Sequence, residues 1–238
     1  MRSIQIVTHC WRFSRVLRYQ LASLVLHPPS TDVVLRVFYT SDDKPTCDVL
    51  SHYEKKMGNV RLMASDMPLR QLGKRAIGRD LAARETTADI VWFTDADVCF
   101  YDECLDYLAQ CDLSTGPMWH PQYVWVTTTK EIGDKYTLAR HKGEPQVSFD
   151  DCSRGRVRQA YGPYQIVPGD VCRSHGYPTG RDNDKTESAY GVFHRNFADV
   201  RVRKRLAALF NSERQSRGLD IPNVIRIRQS VSGVVDTL

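Results

Sequence analysis

The sequence predicts an α/β sandwich built on a mainly parallel central sheet. Three observations carry that expectation. Short runs rich in β-branched and aromatic residues alternate with amphipathic stretches through the first hundred residues, in the order strand, helix, strand, helix. One of these runs, Ile90 to Thr94, is apolar almost throughout, as a strand buried on both faces of a parallel sheet must be. Polar clusters then fall at the carboxyl ends of the runs, where open sheets of this kind bind ligands: Thr8-His9-Cys10, Asp42-Asp43 and Asp95-Ala96-Asp97.

Ser3 to Thr8 reads as the first strand. Phe13 to Leu26 follows as a helix, with Val16, Leu17, Leu21, Leu24 and Val25 on one face. Pro28-Pro29 stops it, because proline has no amide hydrogen to continue the ladder. Val33 to Thr40 is the second strand, and Ser41-Asp42-Asp43 terminates it. Cys47 to Met57 reads as a helix closed by Gly58-Asn59, and Val60 to Ala64 as a short third strand. Gln71 to Thr87 reads as one helix with a basic stripe, followed by the Ile90 to Thr94 strand. Beyond residue 100 the periodicity is irregular. Asp102 to Gln110 and Phe197 to Arg217 read as helices, and Tyr123 to Thr129 and Gln165 to Val167 as strands. Thr179 to Lys185 reads as a charged loop, and the tail beyond Asp220 as loosely structured.

The chain has 238 residues, enough for one domain with a sizeable core. Hydrophobic residues make up 42% and charged residues 26%, which excludes a disordered chain. A net charge of +5 favours anionic ligands such as nucleotide diphosphates and gives no strong nucleic-acid signal. No stretch is long and apolar enough for a transmembrane segment, and no leader is visible at the start. The seven cysteines form no CxxC pair, which suits free thiols in the cytoplasm.

The chemistry centres on Asp95-Ala96-Asp97. Two carboxylates one residue apart, at the tip of a buried strand, suit a hard divalent cation, Mn²⁺ or Mg²⁺, that bridges diphosphate oxygens. Asp97 is the expected direct ligand; Asp95 is placed against the metal or the nucleotide's ribose. Such triplets also cap ordinary turns, so the preceding strand matters to the reading. Lys74, Arg75 and Arg79 lie within two turns on the preceding helix, with Arg75 and Arg79 on one face, where they would hold a diphosphate. A solvated helix face is the plainer alternative.

The stretch from Gly78-Arg79-Asp80 to Asp95-Ala96-Asp97 resembles the glycosyltransferases of the GT-A fold, in particular family 2. Those enzymes carry an Ala-Arg-Asn-like segment on a helix and then an apolar strand ending in Asp-x-Asp. The resemblance implies a GT-A sandwich forming a single domain over 1–238. Residues 1–100 would be its nucleotide-sugar-binding half, and 101–238 its acceptor-binding half with a C-terminal helix. It implies a UDP-sugar donor contacted by Thr8, Arg12, Asp42, Asp43, Lys74, Arg75, Arg79, Asp95 and Ala96, with Asp42 or Asp43 against the base. It implies a metal held by Asp95, Asp97 and a histidine from the C-terminal part, for which His194 is the candidate ahead of His175 and His120. It also implies a base for inverting transfer, for which Asp182, Asp184 and Glu187 are the candidates. Two features depart from the family: Thr8-His9-Cys10-Trp11 replaces its usual first loop, and Asp80 stands where asparagine is common.

The acceptor is a carbohydrate, a lipid-linked or a small-molecule hydroxyl. Trp119-His120-Pro121-Gln122-Tyr123-Val124-Trp125 offers rings for an acceptor wall, against the commoner fate of core packing. Arg201-Val202-Arg203-Lys204-Arg205 offers an anionic acceptor or a peripheral membrane contact, against a solvated face. Two other functions compete. A sugar-1-phosphate nucleotidyltransferase would carry a Gly-rich first loop, and Thr8 to Arg15 holds no glycine. A non-catalytic nucleotide-binding module would have no need of an acidic pair.

Overall fold

A computed structural model describes residues 1–116, 118–139, 143–177 and 216–228. Its strands are β1 (Ile4–His9), β2 (Val33–Tyr39), β3 (Val60–Asp66), β4 (Ile90–Phe93), β5 (Val98–Phe100), β6 (Trp119–Pro121), β7 (Tyr123–Thr127), β8 (Cys152–Arg156), β9 (Gln165–Pro168), β10 (Arg217–Leu219) and β11 (Val224–Arg226). Its α-helices are α1 (Ser14–Leu26), α2 (Lys44–Glu54), α3 (Leu69–Leu72), α4 (Arg75–Glu85), α5 (Cys104–Gln110), α6 (Lys130–Leu138) and α7 (Gly169–His175).

The α/β sandwich is as the sequence predicts. The large sheet has seven strands in the order β10-β6-β9-β4-β1-β2-β3. Strands β4, β1, β2 and β3 are parallel neighbours; β9 runs antiparallel to both β4 and β6. The chain builds outward from β1 to β3, then returns to lay β4 on the other flank of β1. Where strand order reverses in this way, the two departing connections diverge and leave a crevice at the carboxyl ends of the strands. Asp95-Ala96-Asp97 sits at that crevice. It also joins the two sheets, since β5 belongs to a smaller one of order β5-β11-β7-β8.

Burial explains the placement of the elements. All four residues of β4 are buried, and the Trp92 indole N–H is satisfied by the Pro163 carbonyl at 3.0 Å. Helix α1 lays Val16, Leu17, Leu21 and Leu24 on the sheet, with Gln20 buried in the same stripe. Buried glutamine needs partners, and those partners lie in the site described below.

Three readings of the sequence are corrected. The single helix over 71–87 is broken in two, because Lys74 takes a non-helical φ of −96° and ψ of 72° after Gly73 closes α3. Helix α4 thus restarts at Arg75 on its own axis. Part of the tail beyond Asp220 is structured: Val224–Arg226 form β11, and Ile225 and Ile227 are fully buried, while 229–238 lie outside the described residues. Arg217, read as the end of a helix, begins strand β10. The Thr179–Lys185 loop and the rest of the Phe197–Arg217 helix up to residue 215 lie outside the described residues. No helix among the described residues is long and apolar enough to cross a membrane.

The junction of β9 and α7 needs a glycine. A Cβ on Gly169 would stand 1.9 Å from the Ala88 carbonyl oxygen, and the Gly169 amide already donates to the Asp89 carbonyl at 2.7 Å. Backbone cannot yield as a side chain does, so Gly169→Ala is expected to lose about 1–3 kcal/mol, the usual range for overpacking. Urea unfolding reads this directly. An unchanged midpoint would show that the junction is loose.

Candidate functional site

The Asp95-Ala96-Asp97 turn is held from three sides. From α1, the Gln20 amide donates to the carbonyls of Asp95 at 3.0 Å and Val98 at 2.8 Å. From α4, Arg75 pairs with Asp95 Oδ1, and Arg79 Nη2 approaches the same oxygen at 3.4 Å. From β11, the Arg226 Nε–H donates to Asp97 Oδ2 at 2.9 Å, and the Ile227 amide donates to the Asp97 carbonyl at 2.9 Å. The other carboxylate oxygen, Asp97 Oδ1, is buried and has no hydrogen-bond partner.

The two carboxyls differ electrostatically. Burial pushes Asp95 upward, but the guanidiniums of Arg75, Arg79 and Arg226 outweigh it and hold the group below its ordinary value. Burial also pushes Asp97 upward; Arg226 opposes this, Asp95 adds to it, and the net shift is upward. An orphaned, buried carboxylate oxygen is costly unless something accepts its charge. A hard divalent cation fits that description, with oxygen donors from both aspartates. Among the described residues no group of three His, Cys, Asp or Glu side chains completes such a site. His194, Asp182, Asp184 and Glu187 lie outside the described residues. His120 is on β6 and His175 on α7.

Arg79 is placed beneath the site instead of facing a diphosphate. Its side chain is 1% exposed. It donates to the Tyr177 hydroxyl at 3.0 Å, the Gly162 carbonyl at 3.1 Å, the Gln165 side-chain oxygen at 3.3 Å and the Thr94 carbonyl at 3.4 Å. It thereby ties α4 to β4, β9 and the loop before β9. Asp80 adds a second tie, accepting the Tyr177 amide at 2.8 Å. Gly176 just before it has a φ of +65°, and a Cβ there would meet Asp80 Oδ1 at 2.3 Å. The acid in place of asparagine at position 80 is thus used within the fold. Arg75 keeps more exposure, at 12%, and Lys74 lies partly buried just ahead of it.

On the other flank, Asp43 is buried, and its Oδ2 accepts the Arg12 amide at 2.6 Å and the Thr46 hydroxyl at 2.8 Å. This stabilises the left-handed φ of +57° at Arg12, which a non-glycine residue adopts only when held there. Asp42 is exposed beside it, and the exposed Arg12 guanidinium lies over the Trp11 ring at 5.1 Å. Thr8 lies within β1 and not in the loop after it; its hydroxyl is buried without a partner. His9 is likewise buried, stacked on Phe38 at 5.0 Å between ring centroids, and neither ring nitrogen has a hydrogen bond. Burial, then Arg79 and Arg75, hold its imidazole well below its ordinary pKa and therefore neutral. Its Nε2 occupies the space that a Cβ on Gly78 would need, at 2.3 Å.

The aromatic run 119–125 is divided between the sheets. Trp119 in β6 is buried under Arg217, and Trp125 in β7 packs edge-on to Phe149. Packing takes both indoles. Gln20 and Arg226 are the site residues that sequence reading missed. Gln20 left a signal, as a polar residue within the apolar stripe of α1. Arg226 left only a four-residue alternation, Ile225-Arg226-Ile227-Arg228.

No family model matches the sequence, and no curated protein matches it. Solved structures do. The mannosyltransferase PcManGT from Pyrobaculum calidifontis, in complex with GDP-Man and Mn²⁺, superposes with a TM-score of 0.59 at 12% identity over 97% of this chain and 58% of its own. S. aureus TarS in complex with UDP-GlcNAc superposes with a TM-score of 0.58 at 15% identity over 98% of this chain and 60% of its own. The Streptococcus pneumoniae glycosyltransferase GlyE gives 0.51 at 12% identity over 92% of this chain and 45% of its own. This chain therefore spans 60% or less of the length of each of these proteins. The reversed strand order, the crevice at β1 and β4, and these superpositions identify the chain as having the GT-A fold.

Proposed function

We propose that this chain is a metal-dependent glycosyltransferase that moves a sugar from a nucleotide diphosphate sugar, a UDP-sugar, to an acceptor hydroxyl. The observation that carries this reading is the unpartnered, buried Asp97 Oδ1 beside the arginine-held Asp95, at the point where strand order reverses. A divalent cation bound by the two aspartates would offset the charge that builds on the departing diphosphate. Arg75, which keeps 12% exposure while paired with Asp95, adds a cation beside the diphosphate. Arg79 keeps Asp95 in place from below. The Asp42-Asp43 end of β2, with Arg12, forms the flank for the base and ribose.

In the transfer the acceptor oxygen forms a bond to the anomeric carbon while the bond from that carbon to the diphosphate breaks. The hydroxyl proton passes to a carboxylate base, for which Asp182, Asp184 and Glu187 are the candidates. His194 is the proposed third metal ligand. Residues 1–100 form the donor half of this single domain and 101–238 the acceptor half.

Calorimetric titration with UDP, GDP, ADP and CTP, with and without Mn²⁺, tests the reading. The expected result is Mn²⁺-dependent binding of UDP that Asp97→Ala abolishes. Binding that ignores the metal overturns the proposal, and preference for the triphosphate points instead to a nucleotidyltransferase.

A further inference from the structure

A cavity of about 320 Å³ lies against the second half of β6, the first half of β10 and the end of β8. His120, Gln122, Arg156, Arg158, Ser216 and Gly218 line it. Its volume lies at the low end of the range typical of small-ligand pockets, roughly 300–1,000 Å³. Its position follows from topology. Strand β9 is antiparallel to both β4 and β6, and β10 is parallel to β6, so β6 and β10 point the same way as β4. Trp119 and Trp92 both pair with Ile166, so His120 on the cavity wall lies level with Phe93, two residues before Asp95. Strand β6 is two places from β4, about 10 Å at the usual strand spacing, on the side opposite β2 and Asp43.

Among the described residues the lining is cationic and contains no carboxylate. Arg154, two residues earlier on β8, pairs with Asp220 at 3.3 Å. Among the described residues Arg156 and Arg158 have no such acid. His120 is 3% exposed, and its Nδ1 is buried without a hydrogen-bond partner. Burial lowers its pKa, so the ring is a neutral hydrogen-bonding group at physiological pH. Gly218 keeps the floor open: a Cβ there would stand 3.2 Å from Gln122 Cβ and 3.6 Å from His120 Nε2. Two arginines that face no acid among the described residues suit a group with paired anionic oxygens, which guanidinium recognises in bidentate fashion.

We propose that this cavity is an acceptor subsite that binds an anionic group, a phosphate or a carboxylate, on the flank of β4 opposite β2. Arg156 and Arg158 supply the charge, with His120, Gln122 and Ser216 as polar neighbours. The proposal rests on the glycosyl-transfer reading for the role of the ligand, while the binding itself stands or falls separately.

The test uses the full chain at low ionic strength, where charge contacts of exposed arginines are least screened. UDP and Mn²⁺ are present in excess to cover the donor site. Glycerol 3-phosphate, glucuronate and uncharged glycerol are titrated against the wild type, R156Q/R158Q and R156K/R158K. The expected result is binding of at least one anionic probe and none of glycerol. R156Q/R158Q should weaken that binding tenfold or more, R156K/R158K should restore part of it, and affinity for UDP with Mn²⁺ should be unchanged. The stronger of the two anionic probes identifies the source as phosphate or uronate. Equal affinity in wild type and R156Q/R158Q, or binding of glycerol as strongly as the anions, overturns the subsite. A wild type that binds an anion through these arginines but no UDP would overturn the transferase reading alone.

Discussion

Arg79→Ala is expected to be among the most destabilising single substitutions in this chain, at about 3–5 kcal/mol, the range for breaking a buried charge pair. The guanidinium is 1% exposed and donates to two backbone carbonyls, an amide oxygen, a hydroxyl and a carboxylate. Alanine would leave those acceptors without their donor, in a space too tight to admit much water, and would open a cavity as well. For a domain of this size the loss corresponds to a fall in Tm of roughly 6–20 °C. Arg79→Lys should recover only a minor part, because three donors on one nitrogen cannot span acceptors arranged around a planar fork. Urea and thermal unfolding of the two variants check this. A loss below about 1 kcal/mol for alanine would mean that the network contributes little net energy.

That role was only half legible in the sequence. The spacing of Arg75 and Arg79 correctly put both on one face of a helix aimed at Asp95. Spacing gives the face and not the depth, so the difference between an Arg75 that keeps 12% exposure and a buried Arg79 appears only once β9 and Tyr177 close over the latter. Strands β1, β2 and β4 were legible because parallel strands buried on both faces leave near-continuous apolar runs, and Ile90 to Phe93 is such a run. Strands β6, β10 and β11 were not, since each has three residues and periodicity needs more. The break at Gly73-Lys74 was hidden by helix-forming residues on both sides. Arg226 was the hardest to find. It lies 129 residues from Asp97, and no local pattern encodes a partner that distant. The Asp95-Ala96-Asp97 triplet was readable because an acidic pair after an apolar strand is local; the guanidinium held against it comes from the far end of the chain.

Asp97→Asn is expected to lower donor-sugar turnover by about 10²–10³-fold, the usual effect of removing one preorganised electrostatic partner of a developing charge. Asparagine keeps the shape of the turn and its carbonyl bond from Ile227, so folding should survive while the charge is lost. Excess Mn²⁺ should not rescue the variant. In the wild type, the same group should set a pH limit. Burial holds the Asp97 carboxyl above its ordinary value, and a cation binds only the ionised form. As pH falls, protonation begins earlier than for an exposed aspartate, so Mn²⁺-dependent UDP binding should be lost above the usual aspartate range of about 4. Arg226 opposes this upward shift. Arg226→Gln should therefore move the loss to still higher pH, while the binding that remains at alkaline pH keeps its metal dependence. Calorimetry of UDP with Mn²⁺ from pH 4.5 to 8 separates these outcomes. A profile that is flat in the wild type, or that moves to lower pH in Arg226→Gln, would show that Asp97 is not the titrating ligand and that the cation is held elsewhere.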